Sequence, residues 1–247
     1  MRTKIGGWTA LLAVAALAAC SDDGTTPDLG DDATLNADVA TFAAQVTIDD
    51  VDDMWLSSDL VGPLGIPGLG RRGGEHFRAI TVTFLDGDGD EMPSYDPLLT
   101  ATVETVLDVS VTREGPRWEA TMDRHREMAI TGLEGEEAER TWNGLGTDHV
   151  SRMRVDEARS YTMDGDISID DVVVAVPRAE NPWPLSGSIT RHVVVTVVSD
   201  GGERTVERTV TITFDGTQYA TLVVNGETYT VDLADREGHR PERRRGG

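Results

Sequence analysis

The sequence predicts an all-β protein: an antiparallel up-and-down meander of about nine or ten strands, curled into a sheet or barrel-like body. Three observations predict it. Apolar and polar side chains alternate with period two over long stretches, two-residue hairpin turns recur between those stretches, and Val and Thr, which suit a pleated surface, dominate them.

Taken in chain order, the first element is not part of that body. Arg2 and Lys4 open the chain, Trp8–Ala19 is uncharged and largely apolar, and Cys20 is followed by Ser-Asp-Asp-Gly. A positive start, a short apolar run and small residues before a cut describe a secretory signal over residues 1–19. The run is shorter than the ~20 residues a spanning helix needs. Leu17, Ala18, Ala19 and Cys20 resemble the lipobox of bacterial lipoproteins: an aliphatic residue, two small ones, then cysteine. The resemblance covers about the first 20 residues. It implies cleavage before Cys20, diacylglycerol on its thiol, and a chain held to the membrane by that lipid. Ser21, not Asp, follows the cysteine, and by the same resemblance this favours the outer membrane. Two or more acyl chains make such an anchor stable.

Residues 20–38 read as a lipidated acidic tether, polar and Asp-rich, with no residues to build a core. Val39, Phe42, Ala43 and Val46 fall at helical spacing, so one short helix is allowed over 39–56. Thr47-Ile48 and the Asp49–Asp53 run count against it. A Gly/Pro-rich loop follows at 61–74.

A single antiparallel domain is expected over 39–235. His76–Leu85, 102–112 and 117–131 read as strands, with Trp118, Ala120, Met122, Met128 and Ile130 opposed by Glu119, Thr121, Asp123, His125 and Glu127. Gly132–Gly135 and Asn143–Gly146 read as turns. Residues 189–198 carry bulk on both faces, as in a strand covered on both sides. Asp200-Gly201-Gly202, Asp215-Gly216 and Asn225-Gly226 are hairpin signals linking 188–199, 203–214, 217–224 and 227–233. The basic tail 236–247 is expected to be disordered.

Composition restricts the chemistry. Net charge is −22, or −24 without Arg2 and Lys4. Like-charge repulsion disfavours nucleic acid and anionic lipid headgroups as partners. Cys20 is the only cysteine, so no intrachain disulfide forms. No G-x-S-x-G, S-x-x-K, phosphate loop or dinucleotide fingerprint occurs, and no cofactor is expected.

Three stretches invite a site. Asp86, Asp88 and Asp90 alternate with glycine, as calcium ligands do. However, the sixth and twelfth positions counted from Asp86 are Glu91 and Pro97 where an EF-hand needs Gly and Glu, so an acidic hairpin tip is the preferred reading. His125 shares a wet strand face with Asp123 and Glu127, with Arg124 and Arg126 read as surface ion pairs. His149 beside Asp148, and His192, are similar in kind. Trp183, between Pro182 and Pro184, is a candidate stacking residue, with a plug at the sheet's end preferred.

The function expected from these readings is a non-enzymatic, membrane-anchored envelope lipoprotein with a structural or binding β domain, facing an unidentified protein or small ligand. A carrier of apolar ligand on a curved sheet is the alternative. A hydrolase without a readable motif is the second alternative.

Overall fold

The computed structural model describes residues 32–60, 76–115, 118–133, 137–154, 159–199, 201–235 and 241–243. The signal, Cys20 and the loop 61–74 lie outside the described residues. One helix, α1 (Asp32–Leu60), precedes eleven strands: β1 (His76–Asp86), β2 (Glu91–Met92), β3 (Thr100–Gly115), β4 (Trp118–Thr131), β5 (Glu139–Arg154), β6 (Arg159–Ala175), β7 (Ser186–Ser199), β8 (Gly202–Thr213), β9 (Tyr219–Val224), β10 (Glu227–Asp232) and β11 (Glu242–Arg243). All pair antiparallel in a single open sheet ordered β11-β10-β9-β8-β7-β6-β5-β4-β3-β1-β2. The predicted meander is what forms, with Asn225-Gly226 turning β9 into β10 in register (Glu227 opposite Val224). Asn225 takes φ +48° and Gly226 φ +89°, the left-handed pair that such a hairpin requires.

The helix differs from expectation in length. It begins at Asp32, inside the stretch read as tether, and Leu35, Val39, Phe42, Val46, Ile48, Val51, Met54 and Trp55 are all buried. β-Branched residues and aspartates make its intrinsic helix propensity poor. Packing therefore holds it, since a helix buried nearly all round must be enclosed rather than laid on a surface. The sheet encloses it. Side chains from β1 (Arg78), β3 (Arg113), β4 (Arg124, Arg126), β6 (Tyr161), β7 (Arg191) and β8 (Arg204, Arg208) all hydrogen-bond to α1. α1 also packs against β8, β9 and β10. A twisted sheet of long strands thus curls around one helix without closing.

Three other expectations are corrected. Asn143-Gly144-Leu145-Gly146 is no turn but lies inside β5. Adjacent strands on both sides hold it there, and the register slips by one residue between Trp142 and Gly144. Residues 189–198 are covered on one face only, with Val194 and Val198 about 40% exposed on the other. In the tail, Glu242–Arg243 pairs with Thr230–Tyr229 as β11, and Arg243 Nη2 donates to Glu227 at 2.7 Å.

No described helix is long and apolar enough to cross a membrane.

Candidate functional site

Strand alternation sends odd and even residues of each strand to opposite faces, and on this sheet the two faces carry different chemistry. The inner face meets α1. The outer face of β3–β7 holds a trough of about 700 Å³.

On the inner face Met122, Arg124, Arg126, Met128 and Ile130 of β4 all point inward and are buried. Arg124 and Arg126 are therefore not surface ion-pairing residues. Their anions are the helix's acidic run. Asp50 accepts from Arg124 Nη1 (3.1 Å), Arg126 Nε (3.0 Å) and Arg191 Nη2. Asp53 accepts from Arg124 Nη2 (2.8 Å) and from Arg78. Asp148 on β5 bridges Arg126 Nη2 (2.6 Å) and Arg191 Nη1 (2.7 Å). Burial pushes the Asp50 carboxyl up, but Arg126, Arg191 and Arg124 outweigh it and hold it at about 2. Burial dominates at Asp53 and raises it, against the pull of Arg124 and Arg78.

Glycine makes the arrangement possible. A Cβ on Gly146 would sit 2.2 Å from the His125 carbonyl oxygen and 2.8 Å from Arg126 Cδ. With only hydrogen there, the Arg126 guanidinium folds across β5, and its Nη1 donates to the Thr147 carbonyl at 2.9 Å.

On the outer face, strand register lines up two rows. One runs Asp108, His125, Thr147, Asp166, His192, Thr209 across β3–β8; the next runs Ser110, Asp123, His149, Asp164, Val194, Glu207. All three histidines flagged in the sequence therefore line one trough, although they are 24 and 43 residues apart. His125 shares its face with Asp123 and Glu127 as expected. Its partners are Asp108 (Nδ1 to Oδ1, 2.8 Å) and Glu127 (Nε2 to Oε1, 3.2 Å). Those hydrogen bonds, Asp108 first and Glu127 second, raise its pKa above the usual imidazole value. His149 pairs with Asp164 across β6 at 2.7 Å; its sequence neighbour Asp148 faces inward. His192 Nδ1 lies 3.2 Å from Thr209 Oγ1.

Such a surface presents hydrogen-bond acceptors and imidazoles to cationic or polar groups. Among the described residues no three His, Cys, Asp or Glu side chains converge as a metal centre.

The acidic turn is built as a turn. Asp86 Oδ1 accepts from the Asp88 amide (3.0 Å) and the Asp90 amide (2.9 Å), which bends the carboxylate into its own loop. Trp183 is half-buried against the core, and its amide donates to Asn181 Oδ1 (3.0 Å). Trp142 is fully buried. Sequence reasoning missed Asp50, Asp53, Asp148, Arg124, Arg126 and Arg191 as a set. The available signal was arginine at inward positions of otherwise apolar strands, together with an acidic run on α1.

No family model, no curated protein and no solved structure matches this chain.

Proposed function

We propose that the chain is a lipid-anchored bacterial envelope protein, held through Cys20, whose β domain binds on its outer face and does not catalyse. The observation that carries this reading is the occupied interior. A carrier on a curved sheet would hold its apolar ligand where α1 lies. Burying a large apolar side chain is worth ~1.5–3 kcal/mol, so the eight on α1 hold it with about 12–24 kcal/mol. That matches or exceeds the ~5–15 kcal/mol stability of a whole domain, so α1 is core and not a lid.

A slot of about 120 Å³ remains between α1 and β3–β6, lined by Phe42, Val46, Val111, Met122 and Met163 among others. Ligand sites run ~300–1,000 Å³, and the outer trough falls in that range while the slot does not. The Leu17-Ala18-Ala19-Cys20 sequence supports the anchor.

The test is metabolic labelling with an alkyne fatty acid in a bacterial host, followed by lipid extraction of the purified chain. The expected result is label on the wild type, none on Cys20→Ala, and no stoichiometric lipid extracted from Cys20→Ala. Label surviving in Cys20→Ala overturns the anchor. One bound lipid per Cys20→Ala chain overturns outer-face binding in favour of the carrier.

A further inference from the structure

We infer that the outer face of β3–β8 docks an arginine- or lysine-rich polypeptide segment of a partner protein. The inference rests on the outer-face binding proposed above and gives that binding its chemistry. Two independent observations carry it.

The first is a separation of charge across one sheet. Residues opposite one another on neighbouring strands share a face, so the register assigns the arginines. Arg113, Arg152 and Arg204 fall in one row with buried Tyr161, and Arg124 and Arg208 fall in another with buried Asp148. The same alternation turns the remaining arginines of β3–β8 inward, and these strands hold no lysine. The outer face is left with carboxylates on β3, β4, β6 and β8, Asp108, Asp123, Asp166 and Glu207 among them. Its only groups there able to carry positive charge are His125, His149 and His192, and the first two already hydrogen-bond to Asp108 and Asp164. Solubility does not require such a face, because interspersed charges of both signs supply it. Like charges set directly opposite, as Glu114 and Glu119 are, also weaken strand pairing. A face of one sign is complementary to a partner of the other and steers its approach.

The second is apolar surface set among those carboxylates. Val106 (37% exposed) and Leu145 (65%) flank Glu127 in one cross-strand row, and Val194 (40%) lies between Asp164 and Glu207 in another. The carboxylates do not converge on a point: Asp108 and Asp166 are three strands apart in their row, roughly 14 Å at ~4.8 Å per strand. A matching ligand carries several positive charges, spaced apart and borne on apolar stems, as arginine and lysine side chains do. Asp164 and Asp166 are two residues apart along β6, roughly 6.6 Å, which is also the spacing of alternate side chains on an extended peptide.

The probe is a dodecapeptide of alternating arginine and threonine, with a serine–threonine peptide as the uncharged control. Both are titrated by fluorescence anisotropy into the full-length chain, matured in bacteria and held in neutral detergent micelles. The arginine peptide is expected to bind and the control is not. Asp123→Asn/Asp166→Asn should weaken binding about two- to thirtyfold, the range for two exposed ion pairs. Asp88→Asn/Asp90→Asn removes the same charge at the turn after β1 and should change it less than twofold. Leu145→Ser should weaken it severalfold with no change in charge. All five residues are exposed, so the variants fold, which circular dichroism checks. Equal losses in the two double variants overturn the face in favour of overall charge. An unaffected Leu145→Ser, or spermine bound as tightly as the peptide, overturns a polypeptide partner in favour of a small polyamine. No binding of the arginine peptide overturns the basic partner and leaves outer-face binding standing. Hydrogen-exchange protection conferred by the peptide on α1 instead of β4–β6 overturns outer-face binding itself.

Discussion

Replacing Asp50 with asparagine is the sharpest perturbation the fold offers. The carboxylate is 2% exposed and serves three guanidinium groups, those of Arg124, Arg126 and Arg191, which are themselves 5% exposed or less. In the wild type these three arginines face three buried carboxylates: Asp50, Asp53 and Asp148. Asparagine keeps the volume and one acceptor oxygen but removes a charge, so one guanidinium is left uncompensated in the interior. Breaking a buried pair by deleting one partner costs ~3–5 kcal/mol, a third or more of the ~5–15 kcal/mol that holds a domain folded. Urea unfolding followed by far-UV circular dichroism measures it. The same carboxyl dictates the pH dependence. Its folded pKa is depressed from 3.8 to about 2, so its contribution is complete above 3.8 and is lost as pH falls towards 2. The difference in stability between wild type and Asp50→Asn should therefore be constant down to about pH 4 and shrink below it. Asp53 is raised in part by the Asp50 charge, so making the same comparison on an Asp53→Asn background isolates the contribution of Asp50. A cost under ~1 kcal/mol, or a difference independent of pH, would refute the buried network.

Other outcomes follow from the same geometry. Gly146→Ala places a methyl against the His125 carbonyl and should cost ~1–3 kcal/mol or more, read as a fall in Tm; an unchanged Tm would mean β4 and β5 do not pack as described. The His125 ring should titrate above 6.5 by NMR, and Asp108→Asn should lower that value; the stability it contributes is present below 6.5 and fades as pH rises through the folded pKa. Asp86→Ala should cost ~1 kcal/mol by freeing two amides, whereas Asp88→Ala should be neutral and calcium should leave Tm unchanged. A calcium-induced rise in Tm that Asp88→Ala abolishes would establish a metal site there.

The meander was legible because its signals are local. Val210, Ile212 and the Asn225-Gly226 turn announce strand and hairpin within ten residues. The helix was legible only in part, since Thr47-Ile48 and five charged or β-branched neighbours oppose it locally and the stabilising partners lie on β4, β7 and β8. Arg124 and Arg126 were misplaced for the same reason. Alternation put them inward with Met122 and Met128, but a charged residue at a core position is only readable once its counter-ion is known. Asn143–Gly146 looked like a turn because glycine is ambiguous; here it yields space to Arg126 and leaves the chain extended. The outer trough could not be assembled in advance, because placing His125, His149 and His192 together takes the register of four strands, β4 to β7.

The helix that the sheet surrounds is also the part of the body that is made first. Its partners arrive much later in the chain: Tyr161 is 123 residues beyond Asp38, Arg191 is 141 beyond Asp50, and Arg208 is 176 beyond Asp32. Loop closure over such separations is slow, and α1 has little propensity to persist alone. A growing chain consequently holds an acidic, weakly structured leading segment until β7 and β8 exist to neutralise it. Completion of the fold around α1 is thereby deferred to the synthesis of its last third.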